Sequence, residues 1–508
     1  MYAYTYGEST FGLNGILVKV EVDISNGMPN FDIVGLPTGA VKEARERVKS
    51  ALRNSELNFP EHRITVNLAP ADIRKDGSSL DLPIAVGIMA ASEQIKQQDL
   101  QGKMFIGELS LEGSLRPVNG VLSMVIDAVD NGLSDIYLPT ENAQEACLVS
   151  EANVYAVNNL AELAACLNGS LQIAVAEKAP PEQGSQHDYL DFVDVKGQNT
   201  AKRALEIAAA GGHNVILVGP PGSGKTMLAK RIPGILPPLS EKEALEVTQI
   251  YSVAGLLRSN QGLITQRPFR SPHHTISSGG LIGGGKIPRP GEVTLSHHGV
   301  LFLDEVLEFS KSALEVLRQP LEDSMVSISR VQASISYPAR LILIASANPC
   351  PCGFKGYEDA SHKCKCRPAD IENYQKRISG PLLDRIDLQI NVPRLQYDEL
   401  TATGSAEPSA AIKERVQKAR SIQLQRFDGQ KNFTNAHMSI ANLKKCCELD
   451  AQAQKLLETA FKSLNLSARS YDKILKVSRT IADLDGEQKI CARHVAEAIQ
   501  LRTNIQMG

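Results

Sequence analysis

The sequence predicts a multidomain α/β protein with an N-terminal α+β region, a parallel-sheet core and a helical C-terminal region. Three observations predict it. The chain has 508 residues, more than a single hydrophobic core organises. Apolar runs alternate with helical patterns through its middle, as strands joined by crossover helices do, and strand signals fade beyond about residue 396. Between the first two regions, residues 176–191 lose periodicity and gather Pro, Gly, Gln and Ser, the composition of a linker. The predicted boundaries are 1–172, a linker at 173–190, a core at 191–395 and a helical region at 396–508.

Each region has its own pattern. In the first, FIGELSLEG (105–113) alternates apolar and polar residues before a glycine, as a half-buried strand does. VKEARERVKSALRNS (41–55) places Val41, Ala44, Val48, Ala51 and Leu52 on one helical stripe. In the core, NVILVG, GVLFLDEV and LILIASAN are apolar runs of the kind buried on both faces of a sheet. In the last region, Ile474, Val477, Ile481 and Leu484 line one face of KILKVSRTIADL.

Composition excludes several classes. Hydrophobic residues at 43% and charged residues at 22% are ordinary for a globular protein. A net charge of −3 gives no general attraction to nucleic acid or anionic lipid, so any DNA contact must come from locally concentrated cations. The N-terminus lacks a basic stretch followed by an apolar one, and the longest apolar stretch, 82–91, is too short to span a bilayer. Nine cysteines are too few for a disulfide scaffold. The expectation is a cytoplasmic protein without a membrane partner.

GPPGSGKT (219–226) satisfies G-x-x-x-x-G-K-[ST], follows an apolar strand and precedes a helix-compatible segment. Gly219, Pro220, Pro221, Gly222, Ser223 and Gly224 form a loop whose backbone N–H groups turn toward phosphates. Lys225 supplies charge to the β- and γ-phosphates of ATP, and the Thr226 hydroxyl is placed for Mg²⁺. VLFLDE (300–305) ends a buried strand in two carboxylates, a costly position unless they meet a cation or a reacting water. Asp304 is expected to hold Mg²⁺ and Glu305 to polarise the attacking water. Asn348 closes LILIASAN, where an amide positions that water or the γ-phosphate.

These motifs resemble the AAA+ fold in its magnesium-chelatase and MCM-helicase branch. SGPLLDRIDLQINV (379–392) resembles that branch's arginine-finger segment, which assigns Arg385 to a neighbouring subunit's ATP and implies a ring, most often a hexamer. SARSYDKILKVSRTIADL (467–484) resembles the sensor-2 helix, with Arg469 as the γ-phosphate-sensing arginine. FVDVKGQNTAKRALEIAA (192–209) resembles the adenine-side segment, placing Val195 and Gln198 near the base. With the histidine- and glycine-rich segment 270–299 and the CPCG…CKC insertion, the whole chain resembles the ComM/YifB group of magnesium-chelatase-like proteins. That resemblance implies a hexameric ATPase driving branch migration of DNA during natural transformation, with recombination proteins as further partners. The alternative is a protein-remodelling ATPase like the magnesium-chelatase motor subunit.

Residues 64–92 and 105–139 resemble the catalytic domain of Lon proteases, which use a Ser nucleophile and a Lys base. Ser79 falls at the nucleophile position, but Leu122 stands where the family has its lysine, and Lys75 lies on the nucleophile's own loop. The expectation is a Lon-like fold without peptidase activity.

Cys350, Cys352, Cys364 and Cys366 form C-x-C-x11-C-x-C within an insertion at 350–366, two close pairs suited to tetrahedral Zn²⁺ in a structural role, with His362 as a substitute ligand. Two further segments suit DNA. Residues 324–340 alternate like a hairpin with Arg330 near its turn, and the related helicases grip DNA with such a hairpin. The glycine-rich segment 275–293 carries Lys286 and Arg289, cations that track phosphates without reading sequence.

Overall fold

A computed structural model describes residues 1–75, 77–179, 189–258, 261–285, 288–330, 333–357, 363–395, 406–427 and 434–503. It divides into two compact units, Met1–Ser185 with Glu241–Ile264, and Gln186–Ser240 with Thr265–Gly508.

In the first unit a four-stranded sheet runs Tyr2–Phe11, Asn14–Ser25, Arg63–Ala69 and Asn30–Val34 in spatial order. The first three strands pair antiparallel and the last pairs parallel to Arg63–Ala69. Alternation sends Val18, Val20, Val22, Ile64, Val66 and Leu68 to one face, where they are fully buried. The helix Asp81–Ala91 is buried along its whole length, and Gly87 suits the close approach, since an added Cβ would lie 2.7 Å from Val22. The expected stripe on the helix Gly39–Asn54 (Val41, Ala44, Val48, Ala51, Leu52) is buried as the spacing predicts. A smaller parallel sheet joins Lys103–Phe105, Asp135–Pro139 and Asn153–Val157. Val175 still bridges to Tyr155, so the chain follows this unit a few residues into the segment read as linker.

The helix Glu241–Ala254 also lies in this unit, although in sequence it falls within the core region. Its buried residues include Ala244, Val247 and Ile250. The Gln249 amide donates to the Leu13 carbonyl at 2.8 Å, and the Gly120 N–H donates to Ser252 O at 3.1 Å. Ser252 also donates from its hydroxyl to Glu145. Helical periodicity identifies this helix but not the core that its apolar face enters.

The second unit is built on a five-stranded parallel sheet in the order Phe269–Arg270, Val300–Leu303, Ile342–Ala347, Val215–Val218, Leu388–Asn391. The strands Val300–Leu303 and Val215–Val218 are buried throughout, as crossover helices on both faces require. One apolar cluster joins these strands to the helices Ser409–Arg426, Ala451–Ser463, Ala468–Leu484 and Ala492–Thr503. Ile474, Val477 and Ile481 enter it as their spacing predicts. No described helix is long and apolar enough to cross a membrane.

Candidate functional site

Three parallel strands deliver the site to their C-terminal ends, at one end of this sheet. Val215–Val218 runs straight into the loop 219–226. Gly222 and Gly224 have φ of +75° and +90°, a region where a side chain is strained. At Gly219 an added Cβ would lie 2.1 Å from the Val392 carbonyl. The helix Lys225–Ala229 starts at the loop's end, so its N-terminal amides face the space the loop encloses. The Ser223 hydroxyl is buried with no hydrogen-bond partner among the described residues, an orphan donor of the kind a phosphate oxygen can satisfy.

Lys225 is 8% exposed, and its ammonium donates to the carbonyls of Gly219 at 2.8 Å and Pro220 at 2.9 Å, and to Asn348 Oδ1 at 3.3 Å. Burial pulls its pKa down to about 8, against the attraction of Asp304 and Glu305. The lysine therefore sits desolvated among weak acceptors, poised for an anion.

Thr226 donates to Asp304 Oδ2 at 2.8 Å, which brings together the hydroxyl and carboxylate predicted for Mg²⁺. The other Asp304 oxygen accepts from Ser346. Ser346 Oγ in turn accepts from the Glu305 N–H at 2.9 Å. Glu305 is exposed with φ +52°, so the chain turns sharply there and the carboxylate faces solvent rather than the strand. Sequence reasoning missed Ser346. Its signal was present: it is the one hydroxyl inside the apolar strand Ile342–Ala347, and it is fully buried. Of the two residues expected near the base, Val195 is fully buried and Gln198 donates to the Pro393 carbonyl at 2.6 Å. Pro393 follows Val392, whose N–H bonds to Val218 O, so Gln198 lies at the loop's end of the sheet.

Arg385 and Arg469 lie toward the other end, where these strands begin. Arg385 precedes the strand Leu388–Asn391, and its carbonyl accepts from Asn214 at 3.1 Å, one residue before Val215. Its guanidinium is 13% exposed and donates to Arg318 O at 3.0 Å, Pro381 O at 2.7 Å and the Glu322 carboxylate. Arg469 is exposed in the first turn of Ala468–Leu484. The next residue, Ser470, accepts from Arg502, which also donates to the carbonyl of Ile386 at 2.8 Å. Lys473 on the same helix pairs with Asp387 at 2.6 Å. Burial alone would raise the Asp387 carboxyl, but Lys473 and His213 hold it well below the usual carboxylate range. The strand Val215–Val218 has four residues, about 13 Å at the usual rise, and it separates both arginines from their own phosphate loop.

The four cysteines converge. Their sulfurs lie within 4.8 Å of one another, with Cys350–Cys352 at 3.4 Å, Cys352–Cys364 at 3.7 Å and Cys350–Cys364 at 3.8 Å. Tetrahedral zinc with bonds of about 2.3 Å needs sulfur separations of about 3.8 Å, so the donor set and spacing fit that ion. The Lys355 N–H points to Cys350 Sγ at 3.4 Å, as amides do around thiolate sites. His362 lies outside the described residues.

The two segments expected to meet DNA form one structural piece. Met325–Arg330 and Ala333–Pro338 pair as an antiparallel hairpin. Val326, Ile328, Ile335 and Tyr337 are buried on one face, while Ser327, Ser329, Ser334 and Ser336 are exposed on the other. The buried face packs on the glycine-rich segment: Tyr337 donates to the Pro288 carbonyl at 2.7 Å, and an added Cβ on Gly283 would lie 3.0 Å from Ile328. Arg289 is exposed in the ribbon of Gly283–Gly284 with Arg289–Pro290. Lys286 and the Arg330 side chain lie outside the described residues.

In the first unit, Ser79 is 3% exposed and donates to the Glu8 carbonyl at 2.8 Å. Leu122 is fully buried, and its N–H donates to Glu145 at 2.8 Å. The Lys75 ammonium is buried with no hydrogen-bond partner among the described residues, and burial lowers its pKa against the attraction of Asp72.

A phosphate loop, a threonine–aspartate pair and a strand-tip asparagine on a parallel sheet followed by a helical region define an AAA+ ATPase unit of the magnesium-chelatase type. The family model for magnesium chelatase, subunit ChlI, matches residues 191–400. Related models for subunit ChlI of Mg-chelatase and for its C-terminal part match 20–142 and 406–502. The chain belongs to the ComM/YifB family of magnesium-chelatase-like proteins. It is 44% identical to competence protein ComM of Haemophilus influenzae, over 99% of this chain and 98% of that one. It is 43% identical to YifB of Salmonella typhimurium, over 98% and 97%. A partial similarity to Lon protease 2 of Bacillus subtilis, 32% identical, covers 31% of this chain and 28% of that one.

Proposed function

We propose that this chain is the subunit of a cytoplasmic ring, a homo-hexamer, that hydrolyses ATP to move branched DNA during recombination of incoming strands. The observation that carries this reading is the separation of the phosphate loop from Arg385 and Arg469 across the sheet. A chain so arranged offers a loop to one neighbour and arginines to another, and is half of two sites. The link to DNA uptake rests on the similarity to a competence protein.

In this reading Lys225, Ser223 and the loop amides hold the phosphates of ATP, and Val195 and Gln198 flank the base. Thr226 and Asp304 would hold Mg²⁺, which would supply neutralising charge at the phosphates of ATP. Glu305 orients the attacking water and accepts its proton, with Ser346 fixing the turn that aims it. Asn348 positions that water or the γ-phosphate. Arg385 and Arg469 of the adjoining chain stabilise charge developing on the transferred phosphoryl group. Zinc at Cys350, Cys352, Cys364 and Cys366 is structural. Arg289, Lys286, Arg330 and the exposed serines of the hairpin face DNA phosphates, and copies around a ring compensate for weak single contacts. The Lon-like unit is not a protease, since Leu122 supplies no base.

A labelled Holliday junction tests this directly. The protein with ATP and Mg²⁺ resolves it into branch-migrated products, and Lys225→Ala does not. Intact ATP turnover without any action on the junction would instead favour remodelling of a protein partner, the alternative reading.

A further inference from the structure

The turn that carries the first two cysteines lies beside the phosphate loop in space, although the two are far apart in sequence. Cys350 is two residues beyond Asn348 and fully buried. The turn that follows it presses on the loop: Gly353 has φ +84°, and an added Cβ would lie 2.4 Å from Pro221 Cδ and 2.8 Å from Pro221 Cγ. Four residues on, the Tyr357 hydroxyl approaches the Val218 carbonyl at 3.5 Å, at the last residue of the strand that feeds the loop. Pro349, between Asn348 and Cys350, has its carbonyl bound by Gln375 at 3.1 Å. The segment 348–357 thus touches the loop at its strand junction and at its first turn while carrying Asn348 at its start.

We propose that this cysteine turn is a positioning element for nucleotide binding, in which thiolate-held zinc locks the backbone of 350–357 and that backbone, through Gly353 and Tyr357, holds Pro221 and Val218 in the phosphate-binding conformation. A segment without regular secondary structure has little reason to keep one shape, and a four-thiolate ion supplies that reason. Gly353 is required because any side chain there must displace Pro221. Loosening the turn lets the loop amides and Asn348 drift from the phosphates, and displacements of about 1 Å at such sites cost up to about a hundredfold. The metal arm of this proposal rests on reading the four cysteines as a zinc site. The contact arm, Gly353 and Tyr357 against the loop, does not.

The test measures zinc content by elemental analysis and affinity for a fluorescent ATP analogue on the full-length protein. Wild type is expected to carry one zinc per chain. Stripping the ion, or Cys352→Ser, is expected to weaken the analogue about tenfold or more, with recovery when zinc is returned to stripped wild type. Tyr357→Phe, which deletes one oxygen, is expected to keep its zinc and lose about threefold, the value of a weak hydrogen bond. Gly353→Ala should keep its zinc and lose more than Tyr357→Phe. Metal-free protein that remains folded by circular dichroism and binds the analogue as tightly as wild type would overturn the proposal and leave the zinc site standing. If wild type carries no zinc, the zinc reading fails. Folded Gly353→Ala and Tyr357→Phe proteins with unchanged affinity would then overturn the contact arm as well.

Discussion

Replacing Arg385 with alanine should abolish ATP turnover in a way that another chain can rescue. The magnitude follows from the position of the residue. Its backbone lies at the start of the strand next to Val215–Val218, and its own phosphate loop lies past the far end, about 13 Å away along four residues. An arginine side chain does not bridge that distance, so any catalytic action must fall on another chain's nucleotide. Within its own chain Arg385 is held by Glu322, whose carboxylate is 54% exposed. Such a pair contributes about 0–1 kcal/mol, and the guanidinium also donates to the Arg318 and Pro381 carbonyls, bonds of about 1.5–3 kcal/mol each that a bidentate contact with a neighbour's phosphate must replace. Removing a finger arginine costs about 10³ or more in turnover, which leaves Arg385→Ala near background. Lys225→Ala is equally silent, because its own loop no longer binds phosphate. Mixed in equal amounts and assembled, the two variants place an intact loop beside an intact arginine at one interface in four. Phosphate release should then recover to about a quarter of wild type. No recovery, with co-assembly shown by light scattering, would refute the argument and leave Arg385 a structural residue paired with Glu322.

Three other expectations follow from single contacts. Because burial lowers the Lys225 pKa to about 8 and a bound phosphate favours the charged form, nucleotide affinity should be pH-independent below 8 and fall as pH rises from 8 to about 10. Equilibrium binding of an ATP analogue across that range checks it, and a flat profile would contradict the buried position. Asp387→Asn leaves Lys473 facing no carboxylate and should destabilise the second unit by about 3 kcal/mol in urea unfolding. A loss below about 1 kcal/mol would mean that the helices are held by apolar packing alone. Leu68→Ala should cost the first unit about 2–4 kcal/mol and raise hydrogen exchange in Glu241–Ala254, leaving Ile342–Ala347 unchanged. Unchanged exchange in that helix would show that it is stabilised elsewhere.

What could be read from the sequence was local. The loop 219–226 announces itself because its glycines, lysine and threonine act within eight consecutive residues, between a strand and a helix that are themselves legible. The two cysteine pairs are similarly compact, and the spacing that suggested four ligands is matched by sulfurs within 4.8 Å. Ser346 was legible in principle, as a buried hydroxyl in an apolar strand, but its partners Asp304 and Glu305 come from a strand about forty residues earlier. The helix Glu241–Ala254 shows the harder limit. An apolar stripe specifies that a face must be buried but not which core accepts it, so a helix contiguous with the phosphate-loop helices in sequence is built into the first unit. That Arg469 joins Arg385 at the start of the strands depends on the contacts of Ser470 with Arg502 and of Lys473 with Asp387, which no short motif encodes.

The central claim is that ATP turnover in this protein is coupled to branched DNA. Steady-state phosphate release, measured with and without a synthetic Holliday junction at fixed salt, tests it most directly. Junction DNA should raise turnover, the increase should fall with rising salt as phosphate contacts weaken, and Lys225→Ala should abolish turnover in both conditions. Robust turnover that junction, forked and single-stranded DNA all leave unchanged would contradict it.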